Sequence, residues 1–236
     1  MVVLAAGTSS RWGEDNKLLV AIDGRPMVRR TVDSVLAAGV GPVVVVTGHE
    51  ARSVEAALTG LPVTFAQAAG YVQGMSASLK TGIAAAPADC AGALICLGDM
   101  PFVMVSTFRR LASFASEFAS PLEGEVGPQD RVGGMAPPSR SDREGRESTP
   151  HPSTLCVADL PLKGGGASCV AVLPTFDGRR GNPVLLGRAL FPEISSLSGD
   201  QGARRLLAQH AGQVLEIAVD DPGVLRDVDR PEALDG

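Results

Sequence analysis

Short aliphatic runs alternate with amphipathic stretches along this chain, and that alternation constrains the fold more than any other feature. Met1 to Ala6, Val43 to Thr47 and Gly92 to Leu97 are nearly continuous apolar runs of strand length. Runs of this kind are typical of strands that are buried on both faces. Arg25 to Ala38 has apolar residues at helical spacing and is followed by Gly39. The pattern predicts a three-layer α/β/α, Rossmann-like fold with a mainly parallel sheet.

The same two patterns, short aliphatic runs and apolar residues at helical spacing, predict the other elements. Further helices are expected over 53–58, 77–86, 106–118 and 200–210, and further strands over 63–65, 169–174, 182–186 and 214–219.

Residues 120–166 show no sustained apolar pattern of either the strand or the helix type. They hold seven of the seventeen prolines and eight of the twenty-eight glycines, together with mixed charge. A segment with this composition buries too little apolar surface to offset the entropy of ordering. It is also too long for an ordinary connection within a domain. We therefore expect one domain, formed by residues 1–119 and 167–236, with a low-complexity, disordered insertion at 120–166.

Composition excludes several classes of function. A net charge of −5 and a pI of about 5.2 argue against a general nucleic-acid-binding protein. The four cysteines and three histidines lack metal-ligand spacing. No aliphatic run is long enough to span a membrane, and no secretory signal is recognisable at the start. The sequence therefore predicts a cytoplasmic protein with no nucleic-acid or membrane partner.

Small and cationic residues follow the first predicted strand directly. Gly7, Thr8, Ser9 and Ser10 would let backbone N–H groups approach a polyphosphate, and two cations, Arg11 and Lys17, lie in the same loop. Taken alone, a Gly-Ser loop is more often a solvated turn. The loop matches neither the P-loop pattern nor the dinucleotide-binding fingerprint.

Two further segments carry candidate chemistry. Asp99, in LGDMP, follows a predicted strand and could ligate Mg²⁺, although a lone aspartate there is more often a turn former or helix cap. In QGMSAS, polar side chains and Gly74 could contact a base or ribose, or they could simply begin the next helix. The Gly7 loop and Asp99 both follow the carboxyl ends of predicted strands and should face one crevice, which makes the metal interpretation of Asp99 the better one. For QGMSAS the residues alone do not choose between the two interpretations.

The string VVLAAGTSSRWGEDNKLL resembles the opening motif of nucleotidyltransferases that activate sugars, terpenoid precursors and molybdopterin. The match covers Leu4, Ala5, Ala6, Gly7, Ser9, Arg11, Gly13 and Lys17, while Trp12 stands where the family usually has Met or Phe. RRGNPVLL, GDQGARRLL and DVDRPEAL follow in order over 179–234, and the whole set looks like the molybdenum cofactor cytidylyltransferases, of the MobA-like NTP transferase family. The leading LAAG points to CTP.

The resemblance implies a nucleotidyltransferase fold and a role for each motif. The implied catalytic residues are Arg11, Lys17 and Asp99. The implied nucleotide-binding residues are Leu4, Ala5, Ala6, Gly7, Thr8, Ser9, Ser10, Gln73, Gly74, Ser76 and Ser78. The implied acceptor-binding residues are Arg180, Asn182, Asp200 and Arg204. Mg²⁺ would be held by Asp99 with a second carboxylate, Asp227 or Asp229. We expect His49 to be structural or peripheral.

The expected reaction is transfer of CMP from CTP to molybdopterin, with release of pyrophosphate and a molybdoenzyme as the recipient of the product. Two alternatives remain at this point. One is the same chemistry with GTP or with a sugar or polyol phosphate as acceptor. The other is a non-catalytic chaperone that delivers the cofactor to a molybdoenzyme.

Overall fold

The computed structural model describes residues 1–9, 12, 16–118, 169–199 and 203–229. The strands are β1 (Val2–Ala5), β2 (Ala21–Ile22), β3 (Arg25–Pro26), β4 (Val44–Thr47), β5 (Thr64–Gln67), β6 (Gly92–Leu97), β7 (Ala171–Phe176), β8 (Arg179–Arg180), β9 (Val184–Gly187) and β10 (Val214–Ala218). The α-helices are α1 (Met27–Ala38), α2 (Ala51–Ala57), α3 (Met75–Ala84), α4 (Val105–Ala112), α5 (Phe191–Ser196) and α6 (Arg204–Gln209).

The main sheet has the strand order β10-β7-β9-β6-β1-β4-β5, with β8 paired to β7. β1 runs parallel to both β4 and β6, and β4 is parallel to β5. β9 is antiparallel to its neighbours β6 and β7, whereas β7 and β10 are parallel to each other. The prediction of a mainly parallel sheet is therefore confirmed, with β9 and the short β8 as reversed strands.

Each face of the sheet is covered by its own hydrophobic layer. Val3 and Ala5 of β1 pack in one cluster with buried side chains of α1 and α4, such as Val32 and Phe108. The side chain of Val2 points to the opposite face of the sheet and packs in a second cluster. That cluster includes buried leucine and isoleucine side chains of α3, α5 and α6: Leu79, Ile194, Leu206 and Leu207. The predicted three-layer α/β/α architecture is confirmed.

Several element boundaries differ from the sequence-based prediction. α1 begins at Met27 rather than at residue 25, because Arg25–Pro26 pairs with β2 in a two-stranded hairpin. α3 begins at Met75, two residues earlier than predicted, directly after Gly74. The helix predicted over 106–118 is α-helical only to Ala112 and continues as a 3-10 helix over Ser113–Phe118. The hairpin, β8 and α5 were not predicted.

The predicted insertion at 120–166 lies outside the described residues, and the division of the chain into a domain and an insertion stays a prediction. Among the helices that the structure describes, none is both long and apolar enough to cross a membrane.

Candidate active site

The candidate site lies at the carboxyl edge of the parallel strands. β1 has β4 on one side and β6 on the other. The order in which successive strands are added to the sheet therefore reverses at β1. Loops after strands on both sides of such a reversal form the crevice that ligands occupy in open α/β sheets. The loop after β1 and the turn after β6 meet at this point, as the sequence predicted.

Lys17 lies between two carboxylates. Its Nζ donates to Asp99 Oδ2 at 2.5 Å and to Asp229 Oδ1 at 2.8 Å. The Lys17 and Asp99 side chains are mostly buried, at 14% and 17% exposed, whereas that of Asp229 is 41% exposed. Along the chain, Lys17 is 82 residues from Asp99 and 212 residues from Asp229. Three motifs that are far apart in sequence therefore share one charged centre.

Burial of Lys17 is the largest influence on its pKa, which it lowers by removing water from the ammonium. The charge of Asp99, the hydrogen bonds to Asp229 and Asp99, and the charge of Asp229 together outweigh that effect and raise the pKa above its ordinary value. Lys17 is therefore a cation at neutral pH.

Local hydrogen bonds hold the loop that carries Lys17. Asn16 caps the 3-10 helix Lys17–Leu19, since its side-chain oxygen accepts from the N–H of Leu18 at 3.1 Å. Ser9 is almost fully buried in a left-handed conformation with φ of 52°, and its Oγ accepts from the N–H of Lys17 at 3.2 Å. Gly7 and Thr8 are exposed just before it. The loop thus presents open backbone next to a held lysine.

The position of Asp99 follows from the end of β6. The N–H of Gly98 donates to the carbonyl of Leu4 in β1 at 2.9 Å, and the Thr31 hydroxyl of α1 donates to the carbonyl of Gly98 at 3.0 Å. The turn is therefore fixed to both the sheet and a helix just before the carboxylate. This anchoring leaves Asp99 little freedom to move away from Lys17.

A closing segment, residues 221–229, brings the second carboxylate to the site. The N–H of Val228 donates to the backbone carbonyl of Asp99 at 3.0 Å, and the Trp12 indole N–H donates to the carbonyl of Asp229 at 2.9 Å. Of the two candidate ligands, Asp229 contacts Lys17, while Asp227 is exposed. The geometry favours Asp229.

Asp221 anchors the start of the closing segment. It is buried, and its carboxylate accepts from the N–H of Met104, the hydroxyl of Thr107 and the N–H of Gly223, at 2.9, 2.5 and 2.9 Å. Met104 is the N-cap of α4 and Thr107 lies in its first turn, and this helix follows the Asp99 turn. Asp221 was not predicted from the sequence, although an aspartate before Pro-Gly is a recognisable capping signal.

The proposed base-side residues surround the start of α3. Gly74 has φ of 108°, a left-handed conformation that favours glycine, and it precedes the helix without a side-chain cap. Ser76 and Ser78 lie in the first turns of α3 and are buried, whereas Gln73 is exposed. The helical interpretation of this segment is therefore correct, and a binding role for the serines stays a prediction.

His49 lies near the same helix start. Its N–H donates to the carbonyl of Ala6 at 3.3 Å, and its ring centroid is 6.3 Å from that of Tyr71. The backbone bond ties the end of β4 to the first loop and is compatible with the structural role predicted for His49.

The proposed acceptor residues do not hydrogen-bond to the Lys17 centre within the described part of the chain. Arg180, in β8, pairs with Glu216 of β10 through its Nε at 2.9 Å and its terminal nitrogen at 2.5 Å. The N–H of Asn182 donates to the carbonyl of Val224 in the closing segment at 2.9 Å. Arg204 is exposed at the start of α6. Of the three acceptor candidates that the structure describes, Asn182 is the one with a hydrogen bond to the segment that carries Asp229.

Three predicted site residues, Ser10, Arg11 and Asp200, lie outside the described residues. Their roles stay predictions.

Comparison with known proteins identifies relatives of this chain. A model of the MobA-like NTP transferase domain matches residues 1–125 and 150–214. Nicotine blue oxidoreductase of Paenarthrobacter nicotinovorans is 30% identical over 234 residues, which span 99% of this chain and 93% of that protein. The bifunctional protein GlmU of Syntrophotalea carbinolica is 38% identical over 117 residues, 47% of this chain but only 24% of GlmU.

Solved structures share the fold. Rv0371c from Mycobacterium tuberculosis H37Rv superimposes with a TM-score of 0.67 at 24% sequence identity, and the match covers 98% of this chain and 93% of that one. A complex of the same protein with manganese gives a TM-score of 0.66 at 22% identity, with the same coverage.

Proposed function

The chain belongs to the MobA-like NTP transferase domain family, and from this premise we propose that it transfers CMP from CTP to the terminal phosphate of molybdopterin. In this reaction an acceptor phosphate oxygen forms a bond to the α-phosphorus of the nucleotide. The bond from that phosphorus to the β-phosphate oxygen breaks, and pyrophosphate leaves. The observation that carries the proposal is the ammonium of Lys17 held between Asp99 and Asp229 at the carboxyl edge of the sheet.

The two carboxylates suit a divalent ion such as Mg²⁺. Each carboxylate directs one oxygen, a hard donor, to the position that the Lys17 ammonium occupies. The described residues contain no group of three or more metal-ligating side chains. Mg²⁺ in nucleotide enzymes is usually held by one or two protein carboxylates, with water and substrate phosphates as the other ligands. When bound, the ion would act as a Lewis acid that stabilises charge on phosphate oxygens.

The side chains of this protein would bind and orient the triphosphate. With an ion in its place between the carboxylates, the charged Lys17 side chain would bind phosphate oxygens and stabilise charge on the departing pyrophosphate. Arg11 and the backbone N–H groups of residues 7–10 would contribute to the same task. The acceptor phosphate is already an anion, so the reaction needs no general base.

The remaining roles are proposals of the same kind. Gln73, Gly74, Ser76 and Ser78 would contact the base and ribose from the start of α3. Arg180, Asn182, Asp200 and Arg204 would bind the acceptor, and an acceptor phosphate would compete with Glu216 for Arg180. A molybdoenzyme would take up the product.

A second candidate reaction is an oxidoreduction. The observation in its favour is the similarity over nearly the full chain to nicotine blue oxidoreductase. The sequence has no dinucleotide-binding fingerprint after its first strand, whereas two carboxylates beside a lysine could hold the divalent ion that accompanies a nucleoside triphosphate. We therefore place nucleotidyl transfer first.

The test is pyrophosphate release from each of the four nucleoside triphosphates with Mg²⁺, with and without molybdopterin. We expect release that requires both CTP and molybdopterin. Release with GTP, or with a sugar or polyol phosphate, would replace the substrate assignment but keep the reaction class. CTP binding without release would indicate a delivery chaperone. Consumption of NADH or NADPH without pyrophosphate release would support the oxidoreductase.

A further inference from the structure

We infer that Trp12 is a positioning residue that holds Asp229 at the site, an inference that rests on the proposed function. Trp12 is the chain's only tryptophan, and its indole Nε1 donates to the backbone carbonyl of Asp229 at 2.9 Å across 217 residues of sequence. Its own N–H donates to the carbonyl of Ser9 at 2.8 Å. Trp12 therefore connects the first loop, which carries Lys17, to the closing segment.

Asp229 needs such a support more than Asp99 does. Its side chain is 41% exposed, compared with 17% for Asp99. It also lies eight residues beyond the buried anchor Asp221. The neighbouring peptide is held by the bond from Val228 N–H to the carbonyl of Asp99. The indole adds a second backbone bond, at Asp229 itself, and together the two bonds direct the carboxylate towards Lys17.

The contact depends on chemistry that other large apolar side chains lack. The indole of tryptophan combines a large apolar body with one N–H donor, whereas phenylalanine and methionine have no donor. Trp12→Phe therefore removes the bond to Asp229 and keeps an aromatic ring. Without the indole bond, Asp229 would sample more positions. Its carboxylate would then be in place to bind a divalent ion for less of the time.

The test measures Mn²⁺ binding by electron paramagnetic resonance in the full-length protein, with CTP present. Four forms are compared: the wild type, Trp12→Phe, Asp229→Ala and the double variant. We expect Trp12→Phe to weaken Mn²⁺ binding roughly 2- to 10-fold, the range for loss of one hydrogen bond. In the Asp229→Ala background the same change should have almost no effect, because the group that it positions is absent.

A kinetic measurement gives a second result. In pyrophosphate-release assays, Trp12→Phe should raise the Mn²⁺ concentration needed for half-maximal rate and leave the rate at saturating Mn²⁺ close to that of the wild type. A purely structural tryptophan would instead weaken binding equally in both backgrounds and lower the melting temperature of both, which would overturn the inference. So would unchanged Mn²⁺ binding in Trp12→Phe, or an absence of Mn²⁺ binding in the wild type.

The same measurements distinguish failure of the proposed function from failure of the inference about Trp12. If the wild type binds Mn²⁺ but releases pyrophosphate from no nucleotide, the proposed reaction is wrong, and the comparison of the four forms still decides the role of Trp12. If the wild type releases pyrophosphate and Trp12→Phe binds Mn²⁺ normally, only the inference about Trp12 fails.

Discussion

Replacement of Lys17 by methionine should turn this protein into one whose stability depends on divalent ions. The ammonium of Lys17 neutralises Asp99 at 2.5 Å, and both side chains are largely removed from water. Methionine keeps most of the apolar stem but leaves the carboxylate without its cation. Breaking a buried ion pair in this way costs about 3–5 kcal/mol.

The pair with Asp229 adds little to that cost. Its N–O distance is 2.8 Å, but the Asp229 side chain is 41% exposed. Water therefore screens the interaction, and pairs of this type contribute about 0–1 kcal/mol. Because Asp99 also keeps some contact with water, we expect a total loss near the lower end of the range, about 3 kcal/mol in the free energy of unfolding.

A divalent ion should recover much of this loss. In the wild type, the ammonium already occupies the space between the two carboxylates, so a bound ion must displace it. In Lys17→Met that space is open to Mn²⁺, and an ion present at about 100 times its dissociation constant adds ~2.7 kcal/mol. Mn²⁺ should therefore stabilise the variant more than it stabilises the wild type.

The assay is urea unfolding of both proteins with and without Mn²⁺ and with no nucleotide present. Lys80→Met, in α3, is the matched control and should behave like the wild type. The reasoning is refuted if Lys17→Met is as stable as the wild type without Mn²⁺. Equal stabilisation of the two proteins by Mn²⁺ would refute it as well.

Three further predictions concern the surroundings of the site. Asp221→Ala should lower the free energy of unfolding by about 2–4 kcal/mol, because three donors lose a buried acceptor. Urea unfolding measures this, and Asp220→Ala, at the exposed neighbour, should have little effect. Gly74→Ala should cost about 1–3 kcal/mol, since φ is 108° there, and should raise the KM for nucleotide. Gly212→Ala, which meets open space, is its control, and equal losses in the two variants would contradict the argument. Deletion of residues 120–166 should leave kcat unchanged, and a large fall in kcat in a folded deletion variant would show that the segment takes part in function.

The central strands and the layered fold could be predicted because burial on both faces leaves a continuous aliphatic signal. β4 and β6 have this signal, and the structure places both within one residue of the predicted bounds. The β2–β3 hairpin has only two residues in each strand, too few to show a period. The reversed direction of β9 was also missed, since strand direction depends on pairing rather than on side-chain periodicity.

The site was predictable only in part, for a related reason. Motif order and strand ends indicated that Lys17 and Asp99 would lie at one edge of the sheet, and they are in contact. The choice between Asp227 and Asp229 depends on how the closing segment lies over the Asp99 turn. That placement is set by contacts between residues far apart in sequence, such as the Trp12 bond and the Asp221 anchor. A local pattern can indicate a cap such as that of Asp221 on Gly223, but it carries no information about these long-range contacts.

The most direct test of the account is the rate of pyrophosphate release by Asp99→Ala, measured with Mg²⁺ and the nucleotide and acceptor that the wild type uses. Asp89→Ala, at an exposed aspartate before β6, is the matched control. We predict that kcat falls roughly 100-fold or more in Asp99→Ala, the scale for loss of one charge-stabilising group, and stays at the wild-type value in the control. Ordinary turnover by a folded Asp99→Ala protein would contradict the assignment of the Lys17, Asp99 and Asp229 centre as the site of nucleotidyl transfer.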